Sequence, residues 1–143
     1  TVERLDNRFT EINTKQTNHL LNTLTRLEEL LGKVSSRVDK ASVNGKDVSA
    51  VRTAVEKAKT EIAAARIALE AQLKKTYPIQ ITDEAKLKSA VATAREALNK
   101  DLKAAREVVK AAHKAVVDAT RNLKAVPEVD KEVESETENT SNN

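Results

Sequence analysis

Leu98-Asn99-Lys100-Asp101-Leu102-Lys103-Ala104-Ala105-Arg106-Glu107-Val108-Val109-Lys110-Ala111-Ala112-His113-Lys114-Ala115-Val116 places apolar residues at 98, 102, 105, 109, 112 and 116. Steps that alternate between four and three keep all six on one stripe of a helix. The stripe extends back through Leu87, Val91 and Ala94 and forward through Ala119, Leu123 and Val126. A second stripe runs Leu5, Phe9, Ile12, Leu20, Leu24, Leu27, Leu31, Val34, Val38, Ala41, and a third Val48, Val51, Val55, Ala58, Ile62, Ala65, Leu69, Leu73. Only another helix covers so narrow a stripe.

Two interruptions divide the stripes. Asn44-Gly45 supplies positive φ cheaply, and Asp47 stands where an N-cap is needed. Pro78 removes a donor and pushes Tyr77 out of the helical region. Thr82 then offers a cap, with Asp83 and Glu84 in the first turn complementing the helix dipole. Helices are expected over about residues 2–41, 48–75 and 83–126, with Pro127 ending the last. Both connections are short, so the expected fold is all-α, an antiparallel up-down-up three-helix bundle over residues 1–126. Ala-rich seams on the second and third helices favour close approach between them.

The expected lengths are unequal: about 60, 42 and 65 Å at the helical rise. Aligned at their connections, the first helix overhangs one end with Leu5, Phe9 and Ile12, and the third overhangs the other with Val116, Ala119, Leu123 and Val126. An apolar stripe without cover in its own chain invites cover from another, so Leu5, Phe9, Ile12, Val116, Leu123 and Val126 form a candidate self-association interface. A bend, a slipped register or fraying would absorb the same excess. The Tyr77-Pro78-Ile79-Gln80-Ile81 segment has two readings. Tyr77, Ile79 and Ile81 either cap the open end of the core, the preferred reading, or display a partner-binding loop.

Composition excludes much chemistry. The chain has 143 residues, no Cys, no Met, no Trp, one Phe and one Tyr. Disulfides, thiolate metal sites and Cys nucleophiles are thereby absent. A core of Leu, Ile, Val and Ala suits close-packed rods better than a ligand pocket. His19 and His113 form no metal-ligand spacing and flank the stripes, so both are expected partly exposed. Adjacent Glu28 and Glu29 point about 100° apart and do not converge. Gly32 and Gly45 are the only glycines, too few for a phosphate-cradling loop. Gly32 inside the first helix suggests either a close neighbour or a slight bend. No catalytic residue, cofactor, metal or small-molecule substrate is indicated, and no apolar run is long enough to span a bilayer.

The net charge of +3 is unevenly shared. Glu128, Asp130, Glu132, Glu134, Glu136 and Glu138 against Lys131 give residues 127–143 a net charge of −5, which leaves +8 on residues 1–126. The acidic segment has the composition of a disordered tail, and its Asn139-Thr140-Ser141 fits the N-glycosylation pattern. In the body, basic residues interleave with acids, as at Glu11/Lys15, Glu29/Lys33 and Glu96/Lys100. That is the pattern of a solvated helix face, not a nucleic-acid site. The start at Thr1 without Met is read as a cleaved signal peptide or a fragment boundary.

Arg26-Leu27-Glu28-Glu29-Leu30-Leu31, Ser36-Arg37-Val38, Asn44-Gly45-Lys46-Asp47-Val48-Ser49, Asp101-Leu102-Lys103-Ala104-Ala105-Arg106 and Lys110-Ala111-Ala112-His113 resemble exported Ala/Lys/Glu-rich helical proteins of candidate-phylum (Patescibacteria-type) bacteria. The resemblance covers about residues 20–125 and implies an envelope or extracellular setting; it brings no catalytic residues with it. The expected function is therefore a non-enzymatic structural or interaction protein of the cell exterior, self-assembling through its overhangs or acting as a spacer. The alternative is a helical adaptor or chaperone-like binder of partner segments.

Overall fold

The computed structural model describes residues 2–80 and 83–127. The expectations placed on Ile81, Thr82 and the acidic tail from Glu128 lie outside the described residues. The protein is an all-α three-helix bundle of α1 (Val2–Val43), α2 (Ser49–Leu73) and α3 (Leu87–Lys124), with a 3₁₀ turn at Glu84–Lys86 leading into α3.

Each helix end has a local cause. At the end of α1, Lys46 N–H donates to Ala41 O and Gly45 N–H to Ser42 O, a Schellman motif with Gly45 at φ 81°. Asp47 Oδ1 accepts from the amide and hydroxyl of Ser49, which hold its carboxyl below the usual carboxylate range. α2 stops two residues earlier than its pattern suggests, because Lys74 and Lys75 donate to carbonyls three residues back and the chain then leaves the helix ahead of Pro78. Asp83, not a first-turn residue as expected, is the cap of the 3₁₀ turn, and its Oδ1 accepts from Ala85 N–H.

The chain divides into two compact units, each holding a segment of all three helices. One contains the residues up to Thr25 with Ala63–Lys110, and its core cluster is Phe9, Tyr77, Ile79, Ala94, Leu98 and Leu102. The other contains Arg26–Ile62 and the chain from Ala111, and buries Leu27, Leu31, Val34, Val38, Val51, Val55, Val116 and Leu123 among others. Arg52 Nη1 bridges to Asp39 Oδ1 at 3.3 Å in this second unit, an exposed pair linking α1 to α2.

The expected overhangs do not exist. Phe9 is 4 % exposed, Val116 0 %, Leu123 3 % and Val126 7 %, while Leu5 and Ile12 are half-buried against the Phe9 cluster. The length estimate failed because it treated the α2–α3 connection as a tight turn. Instead, Lys74–Gln80 runs on beside α1: Asn13 Nδ2 donates to Gln72 O, and seven residues further along the chain Ile79 N–H donates to Asp6 Oδ1. Asp6 lies seven residues before Asn13, about 10 Å along α1. An extended strap thus covers the face that α2 is too short to reach. Val116, Leu123 and Val126 are enclosed within the second unit.

Stability follows burial. Gly32 is exposed with nothing within 4 Å of the place a Cβ would occupy, so no close neighbour requires it. Gly32→Ala should stabilise the protein by about 0.5–1 kcal/mol, whereas Gly45→Ala, at positive φ, should destabilise it by a similar amount. Leu98→Ala should cost about 2–5 kcal/mol, since Leu98 is 2 % exposed. His113→Ala, on an exposed side chain, should stay within about 0.5 kcal/mol of the parent. Urea denaturation of the four variants checks all of these signs.

Candidate functional site

The strap alternates. Tyr77 and Ile79 are buried, and Thr76, Pro78 and Gln80 between and beside them are exposed, the period of an extended chain with one face inward. Pro78 enforces this by restricting Tyr77 to extended backbone and offers no N–H that would need a partner on the outward side. The inward face meets Phe9 of α1 and Ala94, Leu98 and Leu102 of α3. Of the nominated residues, Phe9, Tyr77 and Ile79 therefore come together, with Leu5 and Ile12 packed against them. Val116, Leu123 and Val126 belong to the other unit.

Below the aromatic cluster lies a polar network. Asn13, Thr17 and Gln72 are 1 %, 0 % and 4 % exposed. Asn13 Nδ2 donates to Gln72 O at 2.9 Å and Lys75 O at 3.3 Å, satisfying carbonyls at the open C-terminal end of α2. Its Oδ1 accepts from Gln72 Nε2 at 2.9 Å and Thr17 Oγ1 at 3.2 Å, so both donors and both lone pairs of the Asn13 amide are used. Gln72 Nε2 also donates to the Tyr77 hydroxyl at 2.7 Å, which in turn donates to Asp101 Oδ2 at 2.6 Å. Lys75 Nζ stands 3.5 Å from the same carboxylate oxygen. Among the described residues no buried side-chain nitrogen or oxygen lacks a partner. Burial pushes the Tyr77 phenol up to about 12, reinforced by its bond to Asp101 and opposed by the bond from Gln72.

The sequence pattern passed over Asn13, Thr17, Gln72 and Asp101. The stripe that begins at Val48 ended at Leu73, yet Leu73 is half-buried and Gln72 takes the interior place three residues after Leu69. The available signal was positional: the stripe that begins at Leu5 has a gap between Ile12 and Leu20, and Asn13 and Thr17 fill it in phase with Leu20 and Leu24.

Two clefts adjoin these residues. An open, mainly apolar groove of about 550 Å³ runs along Leu5, Leu87 and Val91, with Glu84, Lys88 and Arg95 in its walls. A smaller cleft of about 160 Å³ lies between α2 and α3, beside Gln72, Lys75, Asp101 and Ala105. Among the described residues no three His, Cys, Asp or Glu side chains converge as a metal-binding group, and no helix is long and apolar enough to cross a membrane.

Asn13→Ala should cost about 1–3 kcal/mol, because it strips partners from Gln72, Thr17 and the α2 carbonyls at once. Alkali supplies a second check. The folded phenol of Tyr77 titrates near 12 against an ordinary value of 10.0. Its contribution to stability is thus complete below pH 10 and is lost as the pH rises toward 12. Denaturation midpoints should fall over that window in the parent protein and much less in Tyr77→Phe. No protein-family model, curated protein or solved structure matches this chain.

Proposed function

We propose that this chain is a non-enzymatic structural protein of the cell envelope or exterior that works as a helical spacer. The observation behind this reading is the closure of both stretches expected to protrude, since Phe9 and Leu123 are buried within their own chain. Apolar side chains committed inside leave little to drive assembly by hydrophobic contact. The large apolar residues left outside, among the described residues, are Leu30, Val43 and Ile67. The rest of the outer face is dominated by Lys, Arg, Glu and Asp in mixed order, which keeps such a module dissolved and separate from its copies. The exterior setting rests on the resemblance of residues 20–125 to exported helical proteins. A contact with protein partners at the charged faces is compatible with the same role.

A second reading, a chaperone-like adaptor, draws on the apolar groove at Leu5, Leu87 and Val91. Sedimentation velocity and an aggregation assay separate the two. A spacer is expected to remain monomeric across a hundredfold range of concentration and to leave the aggregation of a heat-denatured model protein unchanged. Suppression of that aggregation by the parent, abolished by Val91→Glu, would favour the adaptor. A concentration-dependent series of oligomers would overturn the spacer and restore self-assembly by a route other than the overhangs.

A further inference from the structure

We propose that Tyr77 and Asp101 form a register key, selecting one lengthwise position of α3 against α1 and α2 from several that the apolar seam would accept. The α1–α2 pairing needs no such device, because the Gly45 motif closes that connection within a few residues. α3 is different. Ten residues, 74–83, separate α2 from the 3₁₀ turn, and ten extended residues reach about 33 Å. A slide of one heptad requires only about 10.5 Å.

The seam itself tolerates that slide. Leu98, Ala105, Ala112 and Ala119 recur every seven residues, as do Leu102, Val109, Val116 and Leu123. Moving α3 by seven returns an aliphatic residue to almost every interior place, so the apolar pattern is kept although volumes change, as where Ala105 or Val91 takes the place of Leu98. The line through Asp101 is the exception. Its members at seven-residue steps in α3 are Leu87, Ala94, Asp101, Val108, Ala115 and Asn122, and neither neighbour of Asp101 on that line, Ala94 or Val108, has a side-chain acceptor. The Tyr77 hydroxyl already receives a hydrogen bond from Gln72, so it must place its own proton on something else. Asp101 Oδ2 takes it at 2.6 Å. After a slide in either direction Ala94 or Val108 would stand there, and the hydroxyl of a residue only 7 % exposed would lose its acceptor. Gln72 is held in turn by Asn13, so the chain of bonds refers the position of α3 back to both other helices. A buried polar contact that fixes helix register at the expense of apolar packing is the best-attested use of such groups.

Because the protein has no cysteine, thiol spin labels can be placed at will. Glu11 and Lys110 are exposed and belong to the same unit. Asn13 and Asp101 share one level of the network, so Glu11 and Lys110 are offset along the bundle and a slide of α3 changes their separation. In the full chain carrying Glu11→Cys and Lys110→Cys, pulsed electron–electron resonance should give one distance. Asp101→Ala with Val108→Asp moves the acceptor by one heptad and should shift that distance to a new single value. Tyr77→Phe with Asp101→Ala removes the key and should give at least two populations, the minor one above about a tenth. Asp101→Asn retains an acceptor and should keep the parent distance. The parent distance persisting when the acceptor is moved would overturn the proposal, as would a broadened distribution in Asp101→Asn. Loss of helical circular dichroism in the moved-acceptor variant would also overturn it, since Asp101 would then be needed to fold at all and not to choose a register.

Discussion

Closing narrow aliphatic stripes is the constraint on which this structure depends. With one Phe and one Tyr in 143 residues, the chain has almost no bulky side chains with which to fill space. Helices must therefore lie close along their seams, and any place where one of three helices ends opens a gap that Ala, Val and Leu fill poorly. α2 ends at Leu73 while α1 continues back to Val2 and α3 begins only at Leu87. Both aromatic residues are found at that gap, Phe9 from α1 and Tyr77 from the strap, packed in one cluster with Ile79, Leu98 and Leu102. The two largest apolar surfaces in the sequence are spent where the helical cover runs out.

A strap in the interior brings a difficulty that a helix avoids, for its backbone has no internal partners. The polar residues around it answer this need. Asp6 accepts from Ile79 N–H, Asn13 takes up carbonyls where α2 opens, and Gln72 links the Asn13 amide to the Tyr77 hydroxyl. Among the described residues every buried side-chain nitrogen and oxygen has a partner, which is the condition under which a buried network holds a structure together instead of weakening it. Pro78 is exposed and brings no N–H that would need a partner.

Closure also shapes the functional argument. An overhanging apolar stripe would have made association between copies the natural expectation, and hydrophobic contact its driving force. With Phe9 covered by the strap and with Val116, Leu123 and Val126 enclosed in the second unit, the outer face that remains is mostly charged or polar. The groove at Leu5 and Val91 keeps one apolar surface within reach of solvent.

By itself the sequence determined the helices and their approximate ends, because a three–four spacing of apolar residues has one geometric solution and because Gly45 and Pro78 break it for reasons internal to the chain. It also marked Tyr77, Ile79 and Ile81, the apolar residues of its least helical segment, as candidates to cap the core. It could not show that the strap runs beside α1 as far as Asp6, since nothing local distinguishes a turn from a covering segment of equal length. Nor could it place Asn13, Gln72 and Asp101 inside: hydrophobic spacing identifies interior positions by apolar side chains and is blind to a polar one whose partner is 59 residues away, as Gln72 is from Asn13. Only the tertiary structure decided those positions, because the partners that make burial of a polar group favourable come from other helices.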